Sequence, residues 1–379
     1  VLEPCGEVPV EVPLSRAAAN GVDRSTAIAG LAAFAAAAPT DPAVAGDCEP
    51  SGMIRPPIPR DEDERLAALR RLALLDTEPD EAFERVARLA RRLFDVRWAF
   101  VSLLDEERIW FKAHPGTTVS TTSRDLSFSG HTVAADDVLI VEDARLDERF
   151  FDNPLVVAGE GVVFYAGVPI RSPDGYTVGV FSIVDDEPRR FGDAALHDLE
   201  DLAGIVEREI ATHYRACLDE VTGVYNRRGF FAIGRSAVAR TLDRGTALSL
   251  AYVDVDGLKT VNDAHGHRVG DHALLAVAQS LRSTTRASDV IGRLGGDEFS
   301  LLLFDCTLSG AEPILAALEV RFASELASIS PDLHLGLSAG AADLRPGRSL
   351  EDLVELADAK MYERKSGKSR AGGGAAPPG

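Results

Sequence analysis

Cysteine is scarce and scattered. Cys5, Cys48, Cys217 and Cys306 are the only four in 379 residues, at spacings that suit neither a disulfide framework nor a metal knuckle. A reducing, cytoplasmic setting is the expectation. Long apolar runs are missing as well: the longest, Ala27 to Ala38, has twelve residues, against the roughly 20 needed to cross a bilayer as a helix. Acidic Glu3, Glu7, Glu11 and Asp23 precede it, which argues against a secretory leader and for no membrane insertion. Basic charge is in deficit, with 40 Lys and Arg against 60 Asp and Glu for a formal charge of −20. That balance excludes a broad surface for a nucleic-acid polymer, although a local metal site would still hold a small nucleotide. Methionine is rare too. Met53 is the first, directly ahead of the first regular pattern, and the chain starts at Val1, so translation is expected to begin at Met53.

The 45% hydrophobic content over this length supports two packed cores. Residues 1–60 are rich in Ala, Pro and Gly without a sustained period and are expected to be a low-complexity, disordered extension. Regularity starts near Asp61. Leu66, Leu69, Leu72 and Leu75 make a helical stripe, Ala82–Phe94 a second amphipathic helix, and Trp98–Leu104 a strand. Further strands are expected at Val138–Val141, Tyr165–Ile170 and Thr177–Val184, the last two joined by the turn sequence Pro173-Asp174-Gly175. This reads as a mixed sheet flanked by helices. Leu199, Ala203, Val206, Ile210, His213 and Cys217 then alternate at four and three residues, a short heptad-like seam on a connecting helix.

The most informative feature is Gly295-Gly296-Asp297-Glu298-Phe299, between the apolar runs Val290–Leu294 and Phe299–Leu303. The glycines are expected to permit a tight, φ-positive hairpin tip and to leave space for a phosphate, while the two carboxylates have no core to enter. Some forty residues upstream, Leu248–Asp256 is an apolar strand that ends in acid at Asp254 and Asp256. If that strand lies beside the hairpin, Asp254 and Asp297 converge on a site for Mg²⁺, which favours one or two carboxylates plus substrate phosphate. Two such ions would serve a nucleotidyl transfer.

With these residues in place the chain resembles the GGDEF-domain diguanylate cyclases, which join two GTP into cyclic di-GMP and release two pyrophosphates. The resemblance covers 219–370. It opens at Asp219-Glu220-Val221-Thr222-Gly223-Val224-Tyr225-Asn226-Arg227-Arg228, continues through Asp254–Asp263 and Gly266–Asp271, and ends in the helix around Ala357–Lys365. It implies that Asp254, the Val255 carbonyl and Asp297 bind Mg²⁺ or Mn²⁺, two ions per active site. Asn262 and Asp271 would read guanine, and Asp271 favours GTP because some ATP-accepting relatives have Ser there. Lys259 would meet the triphosphate as a point charge, Gly295 and Gly296 would lie against it, and Lys365 would contact phosphate. Lys368 stands one residue nearer than the family spacing and reads equally as a second phosphate contact or as a solvated charge. Glu298 is catalytic by resemblance, its role open between metal binding and deprotonation of the ribose 3′-hydroxyl. Arg286-Ala287-Ser288-Asp289 stands at the offset of the family's inhibitory site, so cyclic di-GMP is expected to bind Arg286 and Asp289 as product and inhibitor.

Residues 62–195 resemble a GAF sensory domain through Glu64–Leu69, Trp110-Phe111-Lys112, Arg124–His131 and Phe164–Ile170. No cysteine lies between Cys48 and Cys217, which excludes covalent bilin attachment there. His131 reads as a hydrogen-bonded structural residue, and the GAF ligand is unknown. The resulting expectation is an α+β chain of two domains, GAF and a βαββαβ-type GGDEF domain, joined by a helical linker over 196–218 and followed by a disordered tail over 371–379. Each cyclase domain holds one GTP, so a homodimer paired through the linker is expected. Two alternatives keep other classes open: a catalytically silent cyclic di-GMP-binding effector, against which the intact metal residues argue, and an ATP-using transferase, against which Asp271 argues. No phosphodiesterase domain is expected after Arg370.

Overall fold

The computed structural model describes residues 53–157, 161–329, 333 and 335–372. The extension expected over 1–60 lies almost wholly outside the described residues, as do Cys5, Cys48 and positions 373–379 of the expected tail.

Apolar periodicity at the start becomes two helices, α1 (Glu62–Arg71) and α2 (Glu81–Leu93). Asp80 caps α2 by accepting from the Ala82 N–H at 2.9 Å, relieving one of the orphan donors of a helix start. Next come β1 (Trp98–Leu104), β2 (Arg108–Ala113), β3 (Thr121–Ser123), α3 (Phe128–Ala135), β4 (Leu139–Val141), α4 (Pro154–Val157), β5 (Phe164–Arg171) and β6 (Thr177–Asp185). The six strands form one sheet in the order β3-β2-β1-β6-β5-β4. Every pairing in it is antiparallel, where a mixed sheet was expected; short connections make hairpins of β1–β2, β2–β3 and β5–β6, while β1–β6 and β4–β5 pair across longer segments. The turn at Pro173-Asp174-Gly175 forms, with Gly175 at φ 90°. One sheet face packs on α1 and α2; the other holds Phe100, Phe111, Phe128, Phe150 and Tyr165.

The helix α5 (Asp193–Ala216) is continuous. Its Leu199, Ala203, Val206 and Ile210 stripe, anticipated as a pairing seam between two chains, is buried in the first domain's own core. A stripe wide enough to satisfy a heptad also satisfies a sheet face, and here the sheet takes it. Cys217, the last member of that seam, is buried with Tyr225 and Phe230 in the second domain.

The second domain runs β7 (Tyr225–Asn226), α6 (Arg227–Arg244), β8 (Leu248–Asp256), α7 (Leu258–His265), α8 (His267–Thr284), β9 (Val290–Arg293), β10 (Glu298–Phe304), α9 (Leu308–Ile329), β11 (Gly336–Asp343) and α10 (Leu350–Gly372). Its sheet has the order β11-β8-β10-β9-β7. Residues 251, 253 and 255 of β8 face the core built with α8 and α9, whereas 248, 250 and 252 face the core built with α6 and α10. This period of two places Asp254 and Asp256 on the α10 side, at the end of a strand whose earlier residues are wholly buried.

Candidate functional site

Antiparallel pairing of β8 with β10 sets Glu298 directly opposite Asp254 and continues in register to Phe304 opposite Leu248. Beyond the register the Val255 N–H donates to the Asp297 carbonyl at 3.0 Å, so the hairpin tip is laid against the acidic end of β8. Asp254, Asp256, Asp297 and Glu298 are thereby brought to one sheet edge. Burial pushes the Asp254 carboxyl above its usual value; Lys365 opposes the shift, and the charges of Asp297 and Asp256 add to it. The Asp297 carboxylate makes no hydrogen bond to the described residues.

Neither hairpin glycine is in the left-handed region, contrary to the φ-positive tip expected from the sequence. Four residues, 294–297, join the strands and relieve the need for a two-residue turn of that kind. Space explains Gly295 instead, since a Cβ there would stand 2.3 Å from Glu298 Oε2, while one on Gly296 would meet nothing within 4 Å. Glu298 thus folds back along the tip. Beside it, the Tyr252 phenol is pushed well above its usual value, first by burial and then by the Glu298 charge.

Asn262 on α7 and Asp271 on α8 are joined across Gly266, at φ 84°. The Asn262 side chain packs on Gly270, where a Cβ would come within 1.9 Å of Asn262 Oδ1. That Oδ1 is buried and has no hydrogen-bond partner among the described residues. A buried amide oxygen without a donor costs about 1–3 kcal/mol, and a ligand N–H would remove the cost. Lys259 is exposed in the first turn of α7.

Lys365 reaches from α10 to Asp254 Oδ1 and lies 3.6 Å from Asp256. Burial would lower its ammonium pKa, but the hydrogen bond and charge of Asp254, with Asp256 and Asp297 adding, win and hold it above the usual lysine value. The expected phosphate contact is therefore an ion pair with the carboxylates here. Lys368 lies on α10 with its side chain outside the described part.

Arg286 and Asp289 stand in the loop between α8 and β9. Asp289 accepts from the Arg286 N–H at 2.8 Å and the Phe304 N–H at 3.1 Å, while the Arg286 side chain is exposed. Burial raises the Asp289 carboxyl, with those two N–H bonds opposing.

Several participants were missed in the sequence. Arg293 donates through Nη2 to the Gly296 carbonyl at 2.7 Å and through Nη1 to both Asp219 oxygens at 3.1 and 3.2 Å. It ties the hairpin tip to the segment that leaves α5. Asn226 adds to this joint, capping α6 through Gly229 and donating from Nδ2 to the Ala216 and Leu218 carbonyls at 2.8 and 3.1 Å. Asp256 accepts from Ser338 Oγ at 2.9 Å. The alternation Tyr252, Asp254, Asp256 was the available signal for Asp256 and Tyr252; Arg293 carried none beyond its adjacency to the hairpin.

The donors at this edge are hard carboxylate oxygens, which fit Mg²⁺ or Mn²⁺ rather than a softer ion. Among the described residues no group of three or more His, Cys, Asp or Glu is drawn into a ready-made cage. Two carboxylates and a carbonyl, with the rest supplied by substrate phosphate, suit such an ion equally well.

Two family descriptions match: "GAF domain" over residues 78–210 and "Diguanylate cyclase, GGDEF domain" over 216–371. The chain carries a GAF domain ahead of a GGDEF domain. It is 36% identical over 217 residues to the cyclic di-GMP phosphodiesterase PA2567 of Pseudomonas aeruginosa, covering 55% of this chain and 35% of that protein. It is 35% identical over 156 residues to the probable diguanylate cyclase DgcC of Escherichia coli, covering 40% and 42%. The chain thus spans well under half the length of these relatives. Among solved structures it is similar to the coiled coil and GGDEF domain of DgcB from Caulobacter crescentus in complex with c-di-GMP, at 26% identity and TM-score 0.41, covering 46% of this chain and 94% of that one. Among the described residues no helix is long and apolar enough to cross a membrane.

Proposed function

We propose that the chain is a diguanylate cyclase, converting two GTP into cyclic di-GMP and two pyrophosphates, with product feedback and control by its GAF domain. The observation that carries this reading is the antiparallel register that sets Glu298 opposite Asp254 and lays Asp297 beside them, to which the buried Asn262 oxygen, unpartnered among the described residues, adds support. Asn262 Oδ1 accepts from a guanine N–H, and Asp271, a carboxylate, accepts from the same donor edge. Gly296 leaves its side of the tip open for triphosphate. Lys259 meets the phosphates as a point charge, and Lys365 turns to them when its carboxylate partners are otherwise engaged. Asp254, the Val255 carbonyl and Asp297 are the residues to hold divalent metal, which supplies charge neutralisation at the triphosphate.

Each reaction half forms one bond from a ribose 3′-oxygen to the α-phosphorus of the other GTP and breaks the bond to pyrophosphate, the hydroxyl proton leaving to a base. Glu298 either helps to hold the metal or takes that proton. Two GGDEF domains must face each other for this, so the working unit is a homodimer. Since the α5 stripe is spent on the GAF core, pairing uses another surface. Arg286 with the Asp289 loop holds cyclic di-GMP as inhibitor, the exposed guanidinium offering a planar fork to phosphate or base.

The test is GTP turnover by purified protein with Mg²⁺, products resolved by mass. Wild type makes cyclic di-GMP, Asp297→Ala loses activity by about a hundredfold or more, and Arg286→Ala keeps activity while losing inhibition by added product. A metal-replete dimer that binds cyclic di-GMP yet never turns over GTP overturns the enzyme reading in favour of an effector.

A further inference from the structure

Two acids end β8 on one face, and the sheet holds them differently. Asp254 stands between Glu298 of β10 and Ser338 of β11, whereas Asp256 lies opposite Gly336 of β11 and past the last pairing with β10. Ser338 is wholly buried. Its hydroxyl bypasses Asp254, the residue directly opposite, and turns to the diagonal Asp256, 3.0 and 2.9 Å from the two carboxylate oxygens. Gly336 leaves the space for this, since a Cβ there would stand 3.2 Å from Asp256 Oδ2. One donor and one bare glycine thus seat the Asp256 carboxylate on β11, on the opposite side of β8 from the hairpin tip.

Lys365 connects the two acids. Its ammonium bonds Asp254 Oδ1 and lies 3.6 Å from Asp256 Oδ1. Asp254 cannot offer the same oxygen to an ammonium and to a divalent ion, because the two cations repel and compete for one set of lone pairs. When Asp254 is engaged by metal, Lys365 therefore needs another acceptor. Asp256 Oδ1 is within reach, for a shift of about 1 Å brings the ammonium to hydrogen-bond length. Asp256, tethered by Ser338, receives the lysine without leaving its seat.

We propose that Asp256 is a positioning residue: seated by Ser338, it takes over the Lys365 ammonium when Asp254 engages metal, and so keeps that lysine at the edge where phosphate binds. The inference rests on the cyclase reading of Asp254 and Lys365. It adds a division of labour between neighbouring acids, with Asp254 serving the metal and Asp256 the lysine.

Mn²⁺ binding to the full chain without nucleotide, read by water-proton relaxation, tests this through a double-mutant cycle of Asp256→Asn and Lys365→Met. Asp256→Asn conserves volume and can still accept from Ser338, so its melting temperature should stay near that of wild type. It should weaken Mn²⁺ binding about tenfold in the wild-type background, and the loss should be about fivefold smaller with Lys365→Met in place, where no ammonium is left to rehouse. Ser338→Ala, which changes no charge, should weaken binding in the same direction and only while Lys365 is present. An Asp256→Asn loss of equal size in both backgrounds would make Asp256 a metal ligand or a remote charge; it overturns the inference and leaves the metal site standing. No loss in either background overturns it as well, and Ser338→Ala without effect overturns the seating. Mn²⁺ binding that survives Asp254→Ala overturns the metal site itself, and this inference with it.

Discussion

At the scale of the residue, the two hairpin glycines are not equivalent. A Cβ on Gly295 would press on the Glu298 carboxylate that folds over it, whereas Gly296 borders open space. Gly295→Ala should displace the Glu298 carboxylate and lower kcat by about tenfold or more while shifting Tm little, and Gly296→Ala should leave Tm unchanged; thermal melts beside GTP turnover read both. Lys365 offers a second prediction. It neutralises Asp254 from the place a metal would compete for, so Lys365→Met should strengthen Mn²⁺ binding in the absence of nucleotide, measured by water-proton relaxation, and weaken turnover. The carboxylates were legible in the sequence because acids that end an apolar strand or fill a glycine tip have no structural use. The ion pair was not, because it depends on which face of α10 packs on β8.

At the scale of the element, the N-terminal helix α1 is anchored by charge. Glu62 accepts from Arg65 Nε and Nη2, each at 2.8 Å, and also from Arg124, while Arg65 donates to the Leu104 carbonyl at 2.8 Å. The Arg65 side chain is 2% exposed. Burial would raise the Glu62 carboxyl, but the hydrogen bonds and charges of Arg65 and Arg124 outweigh it and hold it below the usual value. Its folded pKa being depressed, Glu62 stabilises the domain above its unfolded pKa of about 4.3, and that contribution is lost as pH falls through the folded value. Glu62→Gln should therefore cost about 3 kcal/mol at pH 7, with the gap to wild type closing in acid; denaturant melts at pH 7 and below pH 4 compare the two.

Elements were read well from the sequence wherever period and burial agreed. β1, β5, β6, β8 and β10 are apolar runs bounded by turn residues, and they form within a residue or two of expectation. β2 and β3 were not anticipated: Arg108–Ala113 carries Arg and Lys, and Thr121–Ser123 is three polar residues, so neither shows a clean alternation. Their pairing is decided by the neighbouring strand. The heptad spacing of α5 was seen, but spacing alone does not say which surface a stripe covers.

At the scale of the whole molecule, the GAF and GGDEF domains meet, besides the helix that joins them, through the Arg244–Glu106 ion pair, hydrogen bonds from Tyr225 to the Arg71 carbonyl and from Ser236 to Asp76, and the packing of Ala73 into the second domain's core. Glu106 takes Arg70 from its own domain and Arg244 from the other. Such exposed pairs are weak, about 0–1 kcal/mol each, and salt screens them. Glu106→Ala should therefore leave the stability of each domain unchanged within about 0.5 kcal/mol while increasing hydrogen exchange at the α1 and α6 surfaces. Nothing in one-dimensional composition announces a contact between a charge at position 106 and another at 244.

The helix α5 carries a further consequence. Its first turns are locked in the GAF core, and its exit is stitched through Asp219 and Arg293 to the hairpin tip. The two domains are therefore set in phase, like cams on one shaft. One residue inserted within α5 would turn everything downstream by about 100° and advance it about 1.5 Å. Seven would restore the angle almost fully. Activity measured across a ladder of insertions should rise and fall with the helical period, with no steady decline as the spacer lengthens.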